Sequence, residues 1–68
     1  MTMMTPKTKF EIGQKIVTPA KDVVYVIDDI VWSALTDKWY YNYSYYEGGY
    51  QHHCSGWIEV VEQHFEAL

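Results

Sequence analysis

The chain has 68 residues, 12 of them aromatic (seven Tyr, three Trp and two Phe), five lysines, no arginine and a formal charge of −4. That length suits one domain, the single cysteine excludes a disulfide framework within one chain, and the longest aliphatic and aromatic run, residues 23–27, is far too short to cross a bilayer. The charge is unevenly placed: residues 1–21 hold four lysines against Glu11, a net of +3, and residues 22–68 hold Lys38 against eight acids, a net of −7.

Residues 1–9 mix Thr, Lys, Met and one Pro without periodicity and read as a flexible arm. Their start lacks the apolar stretch and cleavage site of a secretory signal. Together with one free Cys, this leads us to expect a reducing, cytoplasmic setting. Residues 10–68 form the domain. Phe10 supplies an apolar anchor, and Gly13 follows where the backbone can kink. Residues 14–18 predict a short strand, ended by Pro19 because proline cannot donate to a ladder.

Residues 23–32, rich in β-branched and aromatic side chains, predict a long strand. Asp28 and Asp29 interrupt its alternation, which a β-bulge or a solvated edge would resolve. Neighbouring carboxylates on a strand point to opposite faces, so they do not converge as a catalytic pair. Residues 33–37 read as a polar connection. Residues 38–47 predict a second long strand, and Gly48-Gly49 predicts a tight hairpin turn. Residues 50–54 return, Ser55-Gly56 reads as another turn, and residues 57–60 read as a further strand. The last eight residues are too few for an independent helix. A 3-10 turn at residues 62–65, then a final extended piece, is the economical reading. The expected fold is therefore all-β, a small closed barrel of about five short strands, closure being one way to remove unpaired edges.

The order of these signals resembles small SH3-like barrels. In that group an opening Phe-x-x-Gly-x-x-Val leads into the first strand, and Phe10-Glu11-Ile12-Gly13-Gln14-Lys15-Ile16 is similar to it. A long bent second strand and a long third strand follow. An acid, a 3-10 turn, an apolar residue and a last strand close the group's pattern, as Glu62-Gln63-His64-Phe65-Glu66-Ala67-Leu68 would here. Proteins of this kind are familiar from phages, plasmids and other mobile elements, and the resemblance implies such an origin. The plasmid-borne type II dihydrofolate reductases share the architecture and work as oligomers around a pore lined by Val-Gln-Ile-Tyr. Here that stretch falls on Trp57-Ile58-Glu59-Val60, with Ile58 and Val60 where Gln and Tyr would stand. The activity is not carried over; the idea of an oligomeric barrel enzyme is kept only as the alternative reading.

Candidate sites follow from the aromatic residues. Trp39, Tyr41, Tyr43 and Tyr45 share one strand parity and read as core. Eight aromatics fall between Trp39 and Trp57, more than a small barrel can hide. Tyr40, Tyr46 and Tyr50 are expected at the surface and, with Trp57, form the expected protein-binding face, since aromatic rings favour interfaces. An aromatic cage for a methylated cation needs ring convergence that spacing does not supply. His52, Cys54 and His64 are the only candidates for a metal site, but their spacing matches no recognised zinc motif, so no metal and no cofactor are expected. His53 points away from Cys54 on a strand, so thiol catalysis lacks its base. Glu59, Glu62 and Glu66 read as solvated acids. Nucleic-acid binding is disfavoured by the missing arginines and the acidic body. The sequence thus suggests a non-catalytic protein-interaction module that self-associates or meets a host protein.

Overall fold

The computed structural model describes residues 6–68, so the arm expected at residues 1–9 lies partly outside the described residues. Strands β1 (Lys15–Val17), β2 (Val24–Ser33), β3 (Lys38–Glu47) and β4 (Tyr50–Trp57) are followed by helix α1 (Ile58–His64) and strand β5 (Glu66–Ala67). They form one five-stranded antiparallel sheet in the order β4-β3-β2-β1-β5. The fold is mostly β, and the two long strands stand where the alternation of their side chains predicts them.

Of the two readings of the Asp pair, a bulge or a solvated edge, the structure shows the bulge. Ile27 faces Tyr43, Asp29 faces Asn42, and Asp28 is the extra residue between them. The Asp29 carboxylate accepts the Ile30 N–H at 2.8 Å, which stabilises the interruption locally. Gly48 and Gly49, at φ 61° and 81°, form the two-residue turn that joins β3 to β4. Positive φ at both positions matches the right-handed twist of the strands and suits glycine.

Three expectations are corrected. First, the sheet is not closed: β4 and β5 lie at opposite ends of the order and do not pair. A helix covers the core face instead, and the last strand has only two residues. Second, Ser55-Gly56 is not a turn, and residues 57–60 are not a separate strand; β4 runs through to Trp57. Third, the segment before the last strand is a seven-residue α-helix rather than a 3-10 turn. Ile58, Val61 and Phe65 fall on one side at helical spacing, and Val61 is buried while Ile58 and Phe65 pack against the core. Packing of that side, rather than the modest propensity of β-branched residues, sustains so short a helix.

Phe10, Ile16, Ile27, Tyr41 and Val61 make the core, with Tyr25, Ile30, Tyr43, Ile58 and Phe65 against it. Tyr25, Tyr43 and Phe65 meet edge-on, with ring centroids 5.1 to 5.6 Å apart. Such pairs add roughly 0.5–1.5 kcal/mol each beyond the area they bury. Gly56 makes the helix's close approach feasible: a Cβ there would lie 2.9 Å from Val61 Cγ2.

One hydrogen-bond network ties the start of the domain to its end. The Phe10 N–H donates to the Tyr41 hydroxyl at 3.2 Å, and that hydroxyl donates to Glu62 Oε2 at 2.7 Å. The same carboxylate oxygen accepts the Lys9 N–H at 2.8 Å. Glu62 is therefore a half-buried structural acceptor rather than a solvated acid, and Lys9 is tied to the domain rather than belonging to a free arm.

Candidate protein-interaction surface

Alternation along β3 and β4 divides the candidate residues between two faces of the sheet. Tyr41, Tyr43 and Tyr45 point to the core face, opposite Gly56, Cys54 and His52. Tyr40, Asn42, Ser44 and Tyr46 point to the outer face, opposite Trp57, Ser55, His53 and Gln51. Tyr50 shares the core-face parity but stands beyond the core, at the hairpin tip beside Glu47.

The four candidate aromatics therefore do not form one cluster. Tyr40 and Trp57 pair at one end of the outer face, with ring centroids 6.4 Å apart. Tyr40 is half-buried rather than exposed, and its hydroxyl lies 3.0 Å from the Thr36 hydroxyl. That hydrogen bond lowers the Tyr40 pKa from the ordinary tyrosine value. Trp57 remains exposed, but Lys38 Nζ sits 3.9 Å from its ring centroid and pairs with Glu59 at 3.3 Å. The cation packs over the indole, which also meets the Tyr40 ring, yet the side chain stays partly open to solvent.

Tyr46 and Tyr50 occupy the hairpin tip and are far more open, at 72% and 74% exposure. Tyr46 borders a groove of about 430 Å³ between Asp22–Val24 and Val26 on one side and Tyr45 and Glu47 on the other. Val24, which also lines the groove, is exposed as well. A lining that combines valines, tyrosines and two acids suits a basic side chain with an aliphatic stem. Sequence reasoning missed this groove because Asp22 and Glu47 are brought together only by strand pairing. It also read residues 33–37 as merely polar, whereas Leu35 at that turn is almost fully exposed.

A second hollow, of about 510 Å³, lies between Asp28 and Asp29 on one side and Asn42, His53, Cys54 and Ser55 on the other. Among the described residues no three His, Cys, Asp or Glu side chains gather as a metal ion would require. His52 stacks on Tyr45 at 4.8 Å, Cys54 is half-buried as a free thiol on β4, and His64 sits at the end of α1. Ile58 and Val60, at the positions corresponding to the reductase pore motif, stand on α1 rather than on a strand.

Burial raises the pKa of Tyr41, with the bond to Glu62 adding to it. Burial also raises those of Tyr25 and Tyr43. These hydroxyls stay protonated; the Tyr25 and Tyr43 rings serve in packing, and the Tyr41 hydroxyl also makes hydrogen bonds. Among the described residues no helix is long and apolar enough to cross a membrane. No family model matches the chain, and no curated protein or solved structure shows significant similarity to it.

Proposed function

We propose that the chain is a non-catalytic protein-interaction module that binds a second protein chain, either its own copy or a host protein, through the aromatic β3–β4 hairpin. The exposure of Tyr46 and Tyr50 at the hairpin tip carries this reading. Tyrosine rings give contact area at low conformational cost and are enriched at the centres of interfaces. The groove beside Tyr46, lined by Asp22 and Glu47, supports a partner that brings a cationic side chain, and the acidic body favours encounter with a basic surface.

We read the scaffold as an opened form of the SH3-like arrangement. The long bent second strand, the long third strand and the helical turn before a short last strand follow the order of elements of that group. An origin in a phage or other mobile element and a cytoplasmic location are expectations that accompany this reading.

The Tyr46→Ser and Tyr50→Ser double variant tests it. Sedimentation equilibrium should show association weakened at least about tenfold, as for interface anchors worth about 1.4 kcal/mol or more. At a concentration where the chain is monomeric, the thermal midpoint should change little, because both rings are exposed. Unchanged association would refute the role of the hairpin tip, and loss of folding would show that these rings serve the core.

A further inference from the structure

The β4 edge of the sheet carries an inference that rests on the interaction reading and makes it specific. Hairpin geometry decides which of its backbone groups are free. In a two-residue hairpin the closing residues, here Glu47 and Tyr50, form a hydrogen-bonded pair. Hydrogen-bonded and non-hydrogen-bonded pairs then alternate along an antiparallel ladder. Tyr50, His52, Cys54 and Gly56 therefore turn their amides and carbonyls in toward β3. Gln51, His53, Ser55 and Trp57 turn theirs out to the open edge. The Trp57 carbonyl is spent on the first turn of α1, for which Trp57 is the N-cap.

Edge strands are ordinarily protected by charge, proline, a bulge or extreme shortness. β4 has none of these: it is eight residues long, holds no Lys, Arg, Asp, Glu or Pro, and pairs with β3 without a register shift. The opposite edge is protected, since β5 has two residues and one of them is Glu66. The molecule's net negative charge is thus kept off the strand where two copies would meet.

We propose that two copies of this chain pair antiparallel along β4, joining their sheets into one. Parity restricts the register. Outward residues must face outward residues, so the two-fold axis passes through a residue and never between two residues. An axis at His53 would set two imidazoles side by side and place Trp57 opposite Gly49 in the partner's turn. An axis at Cys54 keeps every contact within the strands, with His53 opposite Ser55 and Gln51 opposite Trp57. Each His53–Ser55 pair contributes two backbone bonds and each Trp57 N–H one, six in all. Cys54 then faces its own copy in a non-hydrogen-bonded pair, where Cα atoms lie about 4.5 Å apart, inside the range that a disulfide spans.

Amide hydrogen exchange of the full chain in reducing buffer, read by NMR at low and high micromolar concentration, tests the pairing. At the higher concentration the amides of His53, Ser55 and Trp57 should slow at least about tenfold, while that of Gln51, whose would-be acceptor is spent on α1, stays fast, and those of His52, Cys54 and Gly56 are protected at both. Ser55→Pro, which removes an outward N–H and leaves the β3 ladder intact, should return the chain to monomer. Mild oxidation with diamide should join two Cys54 thiols, which pass two electrons and two protons to the oxidant as the S–S bond forms. A protected edge without this cross-link would overturn the Cys54 axis. A dimer whose outward amides exchange as fast as the monomer's would overturn edge pairing while leaving the wider interaction reading standing. A chain that stays monomeric would overturn self-pairing, leaving only binding to a different protein.

Discussion

The Tyr41 hydroxyl joins three parts of the chain: it accepts from the backbone at Phe10, donates to Glu62, and is held among the core side chains. The sequence marks Tyr41 as core through its strand parity, but it does not mark the hydroxyl's role. Phe10 and Glu62 lie 31 and 21 residues away and meet it only after folding. Tyr41→Phe should therefore cost more than a conservative exchange suggests. It keeps the ring but leaves a buried backbone N–H without its acceptor, a loss of about 1–3 kcal/mol. Urea unfolding measures this directly, and an unchanged midpoint would show that the hydroxyl is dispensable. Tyr46 and Tyr50 represent the opposite case. Their exposure is legible because the residues following a core-parity ladder and flanking Gly48-Gly49 have nothing to pack against. Tyr40 was not legible in the same way, because its partner Trp57 is 17 residues distant in sequence and adjacent only through the β3–β4 register.

At the scale of elements, strands were easier to read than the helix. The 38–47 strand has alternation, aromatic content and a glycine pair at its end, and all of these agree. The interruption at the bulge is also legible, since two adjacent carboxylates on a half-buried strand require one. Helix α1 was hidden because Ile58, Val60 and Val61 look like a strand by composition, and Gly56 looks like a turn. The real function of Gly56 is close approach, a reading that glycine within a strand also permits. This is testable as a pair. Gly56→Ala should destabilise the domain by about 1–3 kcal/mol through overpacking against Val61. Combining it with Val61→Ala, which removes the offending methyl, should cost less than the sum of the two single changes. Additive costs in chemical denaturation would mean that the helix does not rest on Gly56.

For the whole molecule, the open sheet changes what the aromatic surplus means. A closed barrel would have covered its edges and left only faces for binding. Here a helix covers one face over the core, a two-residue strand ends one edge, and the β4 edge and hairpin tip remain open. Closure was expected from strand count and small size, yet strand count alone does not decide whether the first and last members of the order pair. A single core in so short a chain supplies only about 3–5 kcal/mol, so association through an exposed edge also offers stability. The most direct test is a concentration series of two-dimensional NMR spectra in reducing buffer. The account predicts that shift changes concentrate on Tyr46 and on Tyr50 through Trp57 as the dimer fills. Spectra independent of concentration, or changes confined to β1, β5 and the loop before β1, would contradict it.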